Sequence, residues 1–139
     1  MLGALRDKFP GKSLILILGS YFDVPFEEDA FDAAVSIESL HHFTKKEKTP
    51  LYVQVRKALK PGGAFIVTDC FAASDGEEQL HRARLQRLKR EQGISDDALY
   101  HYDTPLTVEH ETEALLEAGF ASVTVLKSRG ATHALKAIR

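Results

Sequence analysis

Cysteine is nearly absent. Cys70 stands alone, so no disulfide can close within the chain and the usual spaced-cysteine zinc arrangements cannot form. That usage suits a reducing cytoplasm, the expected location. Charge of one sign is lacking too: 18 basic residues against 20 acidic leave a formal net charge of −2. A balance so close to neutral carries no long-range field to recruit nucleic acid or an anionic membrane, and neither partner is expected. The longest apolar run, "LILILG" at residues 14–19, is far too short to span a bilayer. The first residues lack the charged-then-apolar layout of a signal peptide. No internal repeat, low-complexity tract or linker interrupts the chain. What is there is 139 residues, 44% of them hydrophobic, enough for one core. The expectation is a single domain over residues 1–139.

Three apolar runs read as strands: "SLILIL" at residues 13–18, "FDAAVSI" at 31–37 and "AFIVTDCF" at 64–71. Continuous runs of this kind belong to strands covered on both faces, as parallel sheets bury them. Each is reached through a turn or a helix and not a tight hairpin, which predicts an α/β fold with a mostly parallel sheet. Before the first run, "ALRDKFPGK" reads as the end of a helix stopped by Pro10 and Gly11. Between the second and third, Thr49 is expected to cap a helix with Pro50 at its first position, and Leu51, Val55, Ala58 and Leu59 on one face. Pro61, Gly62 and Gly63 then turn the chain into the next strand. Farther on, Thr107 caps "VEHETEALLEAG", with Gly119 as its exit. The runs "ASVTVLKS" and "ATHALKAI" flank Arg129 and Gly130, a hairpin signal, so the sheet should end antiparallel. Residues 72–100 form a polar, charged insertion, read as a lid. Its basic run "HRARLQRLKR" carries no stacking aromatic besides histidine, which favours a solvated helix side over a nucleic-acid surface.

Three phrases in order, "GSYFDVPF", "FDAAVSIESLHHF" and "LKPGGAFIV", followed by "AGFASVTVL", resemble the class I S-adenosylmethionine-dependent methyltransferases, particularly the small-molecule group called type 11. The resemblance implies a Rossmann-like fold, S-adenosylmethionine as cofactor and a small-molecule methyl acceptor. It also implies that the backbone of Ser36 and Ile37 approaches the methionine part of the cofactor. Ser20 or the N–H of Tyr21 would face the adenine, and Glu38 to His41 would line the cleft. Glu38 and His41 are then both cofactor-side and candidate catalytic residues. Ser20 stands where the family commonly has aspartate, and a hydroxyl lacks the charge assistance of a carboxylate.

The family's glycine-rich loop and ribose-binding acid have no counterpart here, so the chain reads as the C-terminal portion of such a domain, expected to bind the cofactor poorly. By the family's strand order, 3-2-1-4-5-7-6, two strands would be missing between "SLILIL" and "AAVSI". A contracted sheet pairing those two runs directly is the first expectation; a second copy over the gap or a loosely ordered N-terminal part are the others. An alternative function follows from the same gap: a non-catalytic methyltransferase-like module that associates through an exposed sheet edge, as a homodimer.

Plainer roles compete at each candidate. His41 and His42 suit a general base or metal ligands, but adjacent histidines commonly pack or hydrogen-bond at a helix start. No metal is expected, because no spaced cysteine or carboxylate set accompanies them. Glu38 reads more readily as a cofactor-side or capping group than as a proton acceptor. Asp69 and Cys70 close the third run and are expected to face the cleft or its shoulder, Cys70 as a small buried filler. Tyr100, His101 and Tyr102 could stack on a flat substrate or pack as a loop.

Overall fold

The computed structural model describes residues 2–96, 98 and 100–139. Its elements run α1 (Leu2–Lys8), β1 (Phe31–Ile37), α2 (Lys45–Ala58), β2 (Leu59–Cys70), α3 (Asp75–Glu91), α4 (Val108–Glu117), β3 (Ser122–Arg129) and β4 (Thr132–Ile138). The four strands form one sheet in the order β1-β2-β4-β3. β1 and β2 are parallel, with Ala33 opposite Ala64 and Ile37 opposite Thr68. β4 pairs antiparallel with both β2 and β3. The closing hairpin turns through Gly130, whose φ of 59° is the left-handed conformation a two-residue turn needs.

Residues 13–18 do not become a strand. The contracted sheet is therefore corrected: "SLILIL" does not pair with β1, and Ile15 and Leu18 stand 89% and 91% exposed. With that run outside the sheet, one of the three pairings is parallel and two are antiparallel. The physical reason is that strand preference is mostly a matter of fitting beside a neighbour, and apolar, β-branched composition supplies no neighbour. The segment that follows is held elsewhere. The amides of Asp23 and Val24 bond back to the Ser20 carbonyl, Gln54 on α2 donates to the Val24 carbonyl at 2.7 Å, and the Phe22 ring meets Phe43 edge-on at 4.9 Å. β1 consequently keeps an outer edge that pairs with no strand among the described residues.

The core lies on one face of the sheet. Leu51 and Tyr52 from α2 and Ala114 and Leu115 from α4 pack over Phe65, Val67, Leu135 and Ala137 of β2 and β4. β2 accordingly alternates, with buried Phe65, Val67 and Asp69 between half-buried Ala64, Ile66, Thr68 and Cys70. The expected covering of both faces is not met, since the described helices that pack on the sheet share one side. The cap of α2 is also corrected. It is Thr44, whose hydroxyl accepts from the Glu47 amide while the Glu47 carboxylate accepts from the Thr44 amide, a reciprocal capping box. Thr49 instead donates to the Lys45 carbonyl, and Pro50 lies inside the helix at the cost of the bond that the Lys46 carbonyl would have accepted. The Pro61–Gly63 stretch is not a turn before the strand but lies inside β2, at its register irregularity opposite β1. A Cβ at Gly63 would stand 2.8 Å from the Lys60 carbonyl oxygen, so that irregularity requires glycine. Thr107 caps α4 as expected, accepting from the His110 amide. Much of the 72–100 insertion is α3, capped by Ser74.

Candidate functional site

β1 and β2 end side by side, and the polar residues gather where they end. The Glu38 amide still bonds to the Thr68 carbonyl at 2.8 Å, but Glu38 itself has φ 47°, a left-handed conformation costly for a residue with a side chain. That bend takes the chain out of the strand and toward α2. Ser36 and Ser39 hydroxyls bond to each other across it at 2.9 Å. Leu40 then drops into the core and turns its amide to Asp69 Oδ2 at 2.9 Å.

Asp69 is the organising side chain. It is 1% exposed, and its Oδ1 accepts from the Cys70 amide at 3.0 Å and meets Nδ1 of His41. The other His41 nitrogen, Nε2, stands 3.5 Å from Oδ1 of Asp103, and His42 Nδ1 stands 3.2 Å from the same oxygen. Asp103 is delivered by the segment after α3, pinned by the bond from the Thr104 amide to the His41 carbonyl at 2.8 Å. The rings of His41 and His101 each lie 4.1 Å from the His42 ring. Burial chiefly, with neighbouring His41 next, holds the His42 imidazole below its ordinary pKa. Cys70 is pushed up to about 11, first by burial and then by the nearby Asp69, Glu38 and Asp103 carboxylates. A thiol so poorly ionised is a weak nucleophile.

A cavity of about 390 Å³ opens against β1 and α2, lined by Tyr21, Ser36 and Ile37 together with Phe31, Leu51 and Phe65. Three residues expected beside a cofactor therefore meet in one space. Ser20, Glu38 and His41 do not line it. The Ser20 hydroxyl is engaged within its own turn, accepting from the Phe22 amide at 3.2 Å. Asp103 was not singled out by sequence, because nothing in the phrase "YHYD" ties it to a histidine pair so far away along the chain.

Residues 1–67 match the methyltransferase domain family. The strand order β1-β2-β4-β3 corresponds to the 4-5-7-6 end of the order that the resemblance implied. Sequence and fold together support a class I S-adenosylmethionine-dependent methyltransferase. Among curated relatives, this chain is 30% identical over 112 residues to a sterol 24-C-methyltransferase of Gibberella zeae, covering 77% of this chain and 26% of that protein. It is 33% identical over 67 residues to a 24-methylenesterol C-methyltransferase of Arabidopsis thaliana, covering 45% and 18%. The chain thus spans about a third or less of the length of the curated relatives it matches. A solved S-adenosylmethionine-dependent methyltransferase from Mesorhizobium loti superposes with a TM-score of 0.68 at 19% identity, over 100% of this chain and 76% of that one. Human N-acetylserotonin methyltransferase in complex with S-adenosylmethionine superposes with a TM-score of 0.60 at 20% identity, over 87% and 32%. No described helix is long and apolar enough to cross a membrane.

Proposed function

We propose that this chain supplies one wall of an S-adenosylmethionine cleft and takes part, in the cytoplasm, in methyl transfer to a small-molecule acceptor. The observation that carries the reading is the meeting of Tyr21, Ser36 and Ile37 on one cavity that runs along β1 and reaches its carboxyl end. In open α/β sheets ligands bind outside the carboxyl ends of the strands, where backbone groups turn away from the ladder. An aromatic ring and a mostly apolar lining suit the adenine and the methionine chain. No carboxylate lines the cavity to take the ribose hydroxyls, so the fit is partial. The bound cofactor supplies an activated methyl on a sulfonium, and alignment of the acceptor does much of the remaining work. Glu38 and His41 stand at the end of β1, where an acceptor would approach. His41 is oriented by Asp69, whereas Glu38 shapes the bend.

Calorimetric titration with S-adenosylhomocysteine tests this. Weak, saturable binding that Tyr21→Ala abolishes is expected; a Kd of about 1 μM or tighter, unaffected by Tyr21→Ala, would overturn it. The second reading is the non-catalytic module, favoured by one observation: the outer edge of β1 carries Val35 and Ile37 more than half exposed. An unpaired edge of that kind invites another strand, here from a second copy.

A further inference from the structure

We propose that His41, His42 and Asp103 form a binding site for one divalent transition-metal ion, of the zinc or cobalt type, which Asp69 holds in a binding-ready state. The three ligand atoms already converge. Asp103 Oδ1 lies 3.5 Å from His41 Nε2 and 3.2 Å from His42 Nδ1, and all three atoms are within 4.8 Å of one another. Two donors on a tetrahedral ion with bonds of about 2.0–2.1 Å stand about 3.3 Å apart, so the observed spacings need little adjustment. Nor is the cluster satisfied as it stands. His42 Nδ1 is buried and has no hydrogen-bond partner, an unusual state for a polar atom.

The support behind the ligands is of the kind metal centres use. His41 gives its Nδ1 side to a buried carboxylate, which fixes the ring and leaves the Nε2 lone pair directed at Asp103. That carboxylate is itself held by the amides of Leu40 and Cys70. Two imidazoles with one carboxylate select zinc-like ions over calcium or magnesium, which take oxygen donors. Asp103 is 61% exposed, so a fourth position is open to solvent. An acceptor oxygen could occupy it; that use rests on the methyl-transfer reading, whereas the ion site does not.

A neighbouring set, Glu38, His41, Asp69 and Cys70, also converges within 4.8 Å. There Asp69 is already spent on Leu40, His41 and Cys70, so the His42 side is chosen. Sequence spacing gave no reason to expect a metal, since the third ligand comes from a distant segment brought in by the Thr104 bond.

Cobalt(II) titration of the chelator-treated chain, followed by visible absorption, decides the matter. One equivalent should develop ligand-field bands, with His42→Ala and Asp103→Asn each weakening binding at least about tenfold, and Asp69→Asn by a similar factor. Circular dichroism on each variant separates lost ligation from lost folding, and His42→Gln provides a second, less disruptive removal of the imidazole. Absence of ligand-field bands in the unaltered chain would overturn the proposal. So would binding that survives both His42→Ala and Asp103→Asn, or a thiolate-to-cobalt band abolished by Cys70→Ser, which would place the ion in the neighbouring set.

Discussion

Asp69 shows how much one side chain can hold. A buried carboxylate accepting from two amides and facing an imidazole closes the ends of both parallel strands into one unit. Buried donors left without an acceptor are costly, so Asp69→Ala should destabilise the fold by about 2–4 kcal/mol. Urea unfolding at neutral pH checks this, and an unchanged midpoint would show that the three contacts contribute nothing. Asp69 was legible as a residue at the end of a strand, because the apolar run "AFIVTDCF" reads as one and Asp69 lies near its close. That it would face inward, beneath His41, was not. The side a strand residue faces depends on which face the helices cover, and composition does not say.

At the scale of elements, α2 and α4 are locked by a buried polar group. Lys48 Nζ donates to Glu111 Oε2 at 2.6 Å, Tyr52 donates to Glu111 Oε1, and all three side chains are nearly inaccessible. Burial first, then the Glu111 carboxylate, raises the Tyr52 phenol well above its usual range. Glu111→Gln leaves Lys48 buried without its counter-charge and should cost about 3–5 kcal/mol, while Lys48→Met with Glu111→Leu and Tyr52→Phe, which removes all three polar groups, should come close to neutral. Unfolding free energies of the single and combined variants measure the coupling.

A second polar joint ties α3 to α4. Buried Glu78 accepts from the Thr107 amide at 2.9 Å and from Arg82 at 2.5 Å, and pairs with His110 Nδ1 at 2.8 Å. The Glu78 bond is the main cause that raises the His110 pKa, with Asp75 and Glu113 adding to it and burial opposing. A histidine that holds its proton more tightly when folded stabilises the fold fully below its unfolded value, near 6.5, and that contribution fades as pH rises through the raised folded value. Urea midpoints should therefore fall from pH 6 to pH 8 by more in the unaltered chain than in His110→Gln. Equal falls would sink the assignment. α4 was visible in sequence through its Thr107 cap and apolar stripe, and α2 through its apolar stripe, though not its cap. The buried charges were not, because Lys48, Glu78 and Glu111 look like solvent-facing residues until a packed neighbour covers them.

For the molecule as a whole, the open side of β1 governs behaviour. Val35 and Ile37 lie exposed along it, and Ile15 and Leu18 in the preceding segment are exposed as well. Unpaired strand edges with apolar side chains associate, and a single inserted lysine is a natural device against that. If the proposed edge pairing holds, light scattering should show self-association at micromolar concentration that Val35→Lys reduces to monomer, with the circular dichroism spectrum unchanged. A monomer before substitution would remove the second functional reading while leaving the cofactor cleft untouched.

The order of the remaining elements, the hairpin and the family resemblance were written in the linear chain, since local conformational preference, capping chemistry and apolar periodicity act over a few residues. Packing alone decided that "SLILIL" stays out of the sheet, that Thr44 and not Thr49 begins α2, and that Asp103 reaches the histidine pair. Each of those outcomes depends on which distant backbone or side chain arrives as a neighbour, and proximity between remote segments is a property of the folded whole.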